Sequence, residues 1–511
     1  MDYNKKSRKI NSLLASGAGV INQVVQILGN FAYRTIFLMI LSKEYLGING
    51  LFSNVLQIFS LAELGIGSAI LFNMYGAFAE QNEEKIGQLI HFYKRIYTTI
   101  ALIVLGLGLA FYPFIGSIVN IEEIPSDISL PVVYFLFVLN SVASYLFVYK
   151  QSLLTADQCE HIVVLYNTMV AFLNNVVKIL ILLLCRNYVM ALASGIVLTI
   201  FINWIFSLWI TRKYRSAFRV KTELPKEERQ EIYKSTQGLM CHKIGTVVVN
   251  STDSIVISKF VSLAAVGLYS NYGMLVSAVT KVGISLINGM LPSIANYTAS
   301  SSKEETYTTL KRILLINLWL ASWTTVCLFA LLNPFITQWL GDQYLLSYGV
   351  VAAVCMQHYL QTSRLTANNF VYSAGLFMRD RLRPLIESLI NLVISVILAK
   401  QMGIIGVFIG TIVSGILTYY WREPYLLFKC HLQRSSLEYW GIQLKWMALT
   451  VALCAGMYWL MSWLPNGIIW LFLRFAIAAV LPNVVILLFC LRSNELQYLL
   501  GFIKRKFLHK T

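Results

Sequence analysis

The sequence predicts an all-α integral membrane protein: about fourteen transmembrane helices, arranged as two six-helix lobes in a same-orientation repeat plus two C-terminal helices. Three observations predict it. First, 57% of the 511 residues are hydrophobic and 13% charged, with a mean hydropathy of +0.65, about half the charged fraction of a soluble chain. Second, fourteen spans of about 20 residues need roughly 280 apolar positions, which such a composition supplies with little left over. Third, the basic residues fall on alternate connections, as they do in multi-pass membrane proteins.

The elements follow in order. The start, Met-Asp-Tyr-Asn-Lys-Lys-Ser-Arg-Lys, is basic and leads into about 30 mostly apolar residues without a small-residue cleavage site, which reads as a first transmembrane helix and not a signal peptide. Apolar runs separated by polar turns then place helices at about 12–41, 47–75, 92–115, 131–155, 161–185, 189–211, 236–262, 266–298, 312–332, 345–374, 381–400, 403–428, 443–463 and 467–491. The period-two alternation of a β-barrel is absent, and uninterrupted apolar runs in lipid must be helical because each backbone polar group needs an internal partner. The domains are then an N-terminal lobe at 1–211, a basic cytoplasmic linker at 212–235, a C-terminal lobe at 236–429, two extra helices within 430–492 and a basic cytoplasmic tail at 493–511.

Net charge is +17. With a cytoplasmic N-terminus, 31 of the 41 lysines and arginines lie in the inner loops and termini, four lie outside (Lys43, Arg186, Lys259 and Lys400), and six lie within helices. The asymmetry puts both termini inside, and the charge needs no nucleic-acid partner. Eight cysteines stand singly, which argues against a disulfide framework or zinc site. No stretch is long and polar enough for a soluble catalytic domain, and no phosphate-binding glycine loop or Walker lysine is present.

The two lobes match at an offset near 220. Asn30 aligns with Asn250, Leu46-Gly47-Ile48 with Val266-Gly267-Leu268, Lys94-Arg95-Ile96 with Lys311-Arg312-Ile313, Pro113-Phe114-Ile115 with Pro334-Phe335-Ile336, Thr155-Ala156 with Ser373-Ala374, and Gly195 with Gly410. Six matches in one order point to a duplicated six-helix unit. An even helix number gives both copies the same orientation, as in the parallel repeats of some transporters, with a substrate cleft expected between lobes. The tryptophans of the last two helices (Trp446, Trp459, Trp463, Trp470) read as an interfacial belt.

Ionisable residues within spans cost about 2.5–3.5 kcal/mol each near the bilayer centre, so they must face protein or water. Lys243, Glu387 and Arg474 lie near helix ends, where snorkelling suffices. The candidates for a cationic, substrate-binding cavity are Arg34, Lys178, Lys281 and Arg364; Glu63 and Asp253 are candidates for a gate or for ion coupling. At offset 220, Arg34 aligns with Ser254, beside Asp253, which places these two to pair across the cleft, either as a gate or as a permanent strut. Net positive charge in a wet cleft suits a phosphate-bearing anion. His358 reads as a satisfied core histidine.

The stretches Glu44-Tyr45-Leu46-Gly47-Ile48-Asn49-Gly50-Leu51-Phe52-Ser53-Asn54 and Ser60-Leu61-Ala62-Glu63-Leu64-Gly65-Ile66-Gly67-Ser68-Ala69-Ile70 resemble bacterial polysaccharide biosynthesis flippases of the Wzx type, and Asp253–Ser258 with Val266–Asn271 looks like their second-lobe counterpart. The resemblance implies the MATE-like fold of the multidrug/oligosaccharidyl-lipid/polysaccharide exporter superfamily. It also implies an oligosaccharide on undecaprenyl pyrophosphate, moved from the inner to the outer leaflet of the bacterial cytoplasmic membrane for capsule, exopolysaccharide or O-antigen synthesis. The expected partners are that lipid-linked oligosaccharide and membrane lipid, with Na⁺ or H⁺ coupling and a polysaccharide polymerase left open; no cofactor or metal is implied. Two alternatives are an integral-membrane polymerase or ligase, and a cation-coupled multidrug exporter of the same fold.

Overall fold

The computed structural model describes residues 8–63, 66–119, 121–291, 294, 297–298 and 301–508. All regular elements among them are helical. By contact the chain divides into two compact units, Met1–Gly267 and Leu268–Thr511.

The first unit begins with α1 (Arg8–Ile40), α2 (Lys43–Phe59) and, after a 3₁₀ turn at Ser60–Glu63, α3 (Ile66–Ala79). Then come α4 (Glu83–Phe111), α5 (Leu130–Ala156), α6 (Glu160–Cys185), α7 (Tyr188–Lys213), the short α8 (Arg215–Arg219) and α9 (Lys226–Phe260). Side-chain caps set two of these starts: Asn82 accepts from the Lys85 amide at 2.9 Å, and Asn187 from that of Met190 at 2.9 Å. Helix α10 (Leu263–Asn288) begins within this unit.

In the second unit, a Ser302/Glu305 capping box opens α11 (Lys303–Leu340). It is followed by α12 (Tyr348–Ser363), α13 (Leu365–Ser373), α14 (Arg383–Met402), α15 (Ile404–Gly415) and α16 (Trp421–Leu426). The chain ends with α17 (Leu437–Ser462), α18 (Ile468–Cys490) and α19 (Asn494–Leu508), the last within the expected tail.

Ten helical stretches among the described residues are long and apolar enough to cross a membrane. Of the fourteen expected spans, the four outside that set are 12–41, 47–75, 236–262 and 345–374. The second is interrupted by the 3₁₀ turn at Ser60–Glu63, and the last is broken at Arg364 between α12 and α13. The other two are continuous but carry polar side chains through their length, such as Asn22, Gln26 and Asn30 in α1. These four spans hold Arg34, Glu63, Asp253 and Arg364. Polar composition and helix breaks therefore coincide with four of the six candidate residues.

The expected linker is built onto the first unit. Segment 215–225 packs on α4 at Gly87, where an added Cβ would lie 2.5 Å from Val220 and 2.6 Å from the Ala217 carbonyl oxygen. Thr222 hydrogen-bonds Gln88 and Glu84, and Lys85 pairs with Glu228 at 3.0 Å. Helix α9 starts at Lys226, ten residues before the expected span.

The sequence repeat reappears as packing. Gly195 abuts the preceding helix at Asn174 and Lys178, and its counterpart Gly410 abuts the preceding helix at Ser395. Gly47 and Gly267 face each other's helix starts: a Cβ on Gly47 would lie 2.1 Å from the Leu263 carbonyl oxygen, and one on Gly267 2.2 Å from that of Lys43. Since 263 and 267 are 43 and 47 plus 220, the contact is reciprocal under the repeat, as a local two-fold requires.

Backbone at such range leaves no room for a methyl group, and overpacking typically costs about 1–3 kcal/mol. Gly267→Ala and Gly47→Ala should each lower the thermal midpoint of the purified protein, whereas Gly106→Ala, with nothing within 4 Å of the new Cβ, should leave it unchanged or raise it. Thermal unfolding in detergent compares the three.

Candidate functional site

The candidate residues separate into three settings. In the first unit, α1 and α6 meet along a polar seam. Thr168 donates to Asn22 at 2.9 Å, Asn175 to Asn30 at 3.3 Å, and one turn on the Lys178 ammonium sits 5.7 Å from the centre of the Tyr33 ring. From Tyr33 an aromatic chain runs through Phe37 and the buried Tyr188 to Tyr45, with centroids 5.5–5.8 Å apart. The Tyr45 hydroxyl donates to Asp127 at 2.5 Å. Lys178 is thus linked by packed rings to the glycine crossing.

That end of the unit is tied in several further places. The Leu263 amide donates to Glu123 at 2.6 Å, Ser258 to the Ile118 carbonyl at 3.2 Å, and Asn54 to Ser254 at 2.8 Å. Asp253 is 7% exposed and flanked by buried Ser251, Thr252 and Ser254. Arg34 is half-buried beside Tyr33, and Arg34 and Asp253 are both engaged. Glu63, on the break between α2 and α3, accepts from the Tyr97 hydroxyl at 2.6 Å; Tyr97 adjoins the hydroxyl of Tyr93, to which Ser152 donates.

In the second unit Arg364 caps both flanking helices at the break between them. It does not stand as a spare cation. Its Nη2 donates to Glu423 Oε1 at 2.7 Å, and its guanidinium lies 3.9 Å over the Tyr419 ring. Asn368 also donates to Glu423 Oε1, at 3.0 Å, and Arg383 Nη2 is 3.4 Å away. Arg383 in turn binds Asp380 at 2.6 Å and Glu387 at 2.8 Å, and Arg422 reaches Asp380 at 3.5 Å. Three arginines thus meet three carboxylates, so the cluster is neutral overall. Glu423 Oε2 remains buried without a hydrogen bond.

Glu423, Asp380 and Arg383 were not singled out from sequence. The signal was Trp421-Arg422-Glu423-Pro424 inside an otherwise apolar run. Pro424 removes a backbone donor, and π-helical turns at Ile416–Tyr420 and Leu427–Leu432 flank the short α16 that carries Glu423. Such turns frequently mark functional sites.

Lys281, in α10, is exposed and has no ion-pair partner among the described residues. His358 is buried, with Thr280 at 2.7 Å from Nδ1 and Thr324 at 2.9 Å from Nε2, so it is a satisfied core histidine. Arg474 is also structural: its Nη2 donates to the carbonyls of Met461 at 3.4 Å, in the last turn of α17, and of Leu464 at 2.6 Å, just beyond it. The Lys243 side chain lies outside the described residues. Between α11, α12 and α17 runs an apolar groove of about 320 Å³ lined by residues that include Phe329, Met356, Met447, Val451 and Tyr458.

Removing one partner of a buried ion pair typically costs about 3–5 kcal/mol, because it strands the other charge. Arg364→Ala should therefore lower the thermal midpoint sharply, and Arg364→Ala/Glu423→Ala should recover part of the loss. A double-mutant cycle of unfolding measures the coupling.

Solved structures with this fold are membrane carriers. The Lipid II flippase MurJ in an inward closed conformation matches with a TM-score of 0.66 at 14% identity, over 94% of this chain and 99% of that one. An inward-facing multidrug resistance MATE family transporter of the MOP superfamily matches at 0.51 and 14% identity, over 80% and 98%, and a MATE in complex with MaD3S at 0.53 and 14%, over 83% and 97%. No curated protein matches the sequence. The model of the family described as "Polysaccharide biosynthesis protein" matches residues 14–298, more than half of the chain. The chain is a multi-pass membrane protein with a MATE-like fold, and it belongs to the polysaccharide biosynthesis protein family.

Proposed function

We propose that the protein is a flippase that carries undecaprenyl-pyrophosphate-linked oligosaccharide repeat units from the inner to the outer leaflet of the bacterial cytoplasmic membrane by alternating access, for a capsule, exopolysaccharide or O-antigen. The observation that carries this reading is family membership joined to the placement of Arg34, Glu63, Asp253 and Arg364 on the four expected spans that are polar or broken. A polar path through lipid requires such spans, since sugars and pyrophosphate must stay hydrated or hydrogen-bonded.

The cargo has two halves with opposite needs. Arg34, Lys178, Lys281 and Arg364 supply cations for the pyrophosphate; the apolar groove along α17 suits an acyl-like tail. Arg364 reaches phosphate by exchanging Glu423 for it, whereas Lys281 needs no exchange. With the inside negative by 100 mV, moving two negative charges outward is favoured by roughly 4.6 kcal/mol, so the membrane potential can set direction. Glu63 and Asp253 are the proposed positions for a gate or for Na⁺ or H⁺ coupling. The crossing at Gly47 and Gly267, with both termini cytoplasmic, is the proposed outer closure.

The MATE likeness keeps a drug exporter as the second reading. Proteoliposomes containing a fluorescent undecaprenyl-pyrophosphate oligosaccharide separate them. Translocation should run well above that of protein-free vesicles, without new glycosidic bonds. Lys178→Gln/Lys281→Gln should slow it by roughly tenfold or more, since a hydrogen bond to a charged group contributes about 1.5–3 kcal/mol. Background rates with this lipid, together with export of an apolar cation, would favour the drug exporter; polymer formation would point to an enzyme.

A further inference from the structure

The docked segment 215–229 and α4 between Gln88 and Thr99 form an open cleft of about 700 Å³, within the size range of small-molecule sites. Lys94, Arg95, Arg219, Lys221 and Arg229 line it against a single carboxylate, Glu223. Glu223 bridges Arg95 at 2.7 Å and Arg229 at 3.0 Å, fastening the segment to α4, and the hydrogen bond from Arg95 holds the Glu223 carboxyl below its ordinary range. The side chain of His91 lines the same cleft, and its Nε2 is buried without a hydrogen-bond partner. Phe92, Phe218 and Leu224 add apolar wall.

Loop cations attract anionic headgroups without any cleft. Here the cations line a concavity whose walls are pre-fixed, without Glu223, by the Gly87 contact, the Thr222 hydrogen bonds and the Lys85–Glu228 pair. It also lies just before α4 turns wholly apolar, from Ile100 to Phe111, the depth at which a headgroup meets its tails. We propose that this cleft binds the phosphate of a membrane-lipid headgroup, with cations around the phosphate and acyl chains lying along α4. The inference does not depend on what the protein translocates.

Native mass spectrometry of the full-length protein tests it, with phosphatidylglycerol, undecaprenyl pyrophosphate or phosphatidylcholine added in separate arms. Lys94→Gln/Lys221→Gln, which leaves the Glu223 bridge intact, should weaken retention of a phosphate-bearing anionic lipid by roughly tenfold and leave phosphatidylcholine unchanged. Glu223→Gln should strengthen it, whereas a purely structural Glu223 would weaken it. An effect on phosphatidylglycerol assigns the site to bulk phospholipid; an effect confined to undecaprenyl pyrophosphate assigns it to a carrier lipid. Equal retention of both anionic lipids by all three proteins, or weakened retention in Glu223→Gln, would overturn the proposal.

Discussion

Two helices can begin backbone against backbone only where neither has a side chain in the way, and the contact of Gly47 with Leu263 and Gly267 with Lys43 meets that condition. Much of the first unit is arranged around it. The hydrogen bonds from Tyr45 to Asp127, from the Leu263 amide to Glu123 and from Asn54 to Ser254 all lie on the helices or loops that meet there. The junction also buries apolar side chains, since Leu263 shares one core with Leu46 and Ile48, so separating it exposes apolar surface that another interaction must offset.

The second constraint is electrostatic. A charge within an apolar helix must be answered locally, and the chain does so in three ways. Arg474 is answered by backbone carbonyls, Lys178 by an aromatic face and polar neighbours, and Arg364 by a carboxylate within a six-residue network. Only the last holds a cation against an exchangeable anion. Phosphate and carboxylate present similar oxygens to a guanidinium, so Glu423 holds Arg364 in the manner proposed for a phosphate.

Much of this was legible in the sequence. Apolar runs are long and helices in lipid have no competitor, so the class follows from composition. The repeat could be read because close helix packing demands glycine at Gly47, Gly195, Gly267 and Gly410. Six intramembrane charges could be singled out because each is rare. What escaped was partnership: Glu423 lies 59 residues from Arg364, and no local spacing signals a pair made by tertiary packing. The breaks at Ser60–Glu63 and at Arg364 were hidden for a related reason, since neither carries a proline and both depend on groups supplied by other helices. The segment 212–235 read as a linker because it is charged; its docking rests on Gly87, a residue with no signature by itself.

The glycine crossing is proposed as a closure that opens during transport and not as a permanent strut. Spin labels at Ser42→Cys and Val261→Cys, in a background whose eight native cysteines are replaced by alanine, report its separation directly by pulsed dipolar spectroscopy. Adding undecaprenyl-pyrophosphate oligosaccharide to protein in nanodiscs should bring in a second, longer distance. A single short distance, unchanged by the lipid across saturating concentrations, would contradict it.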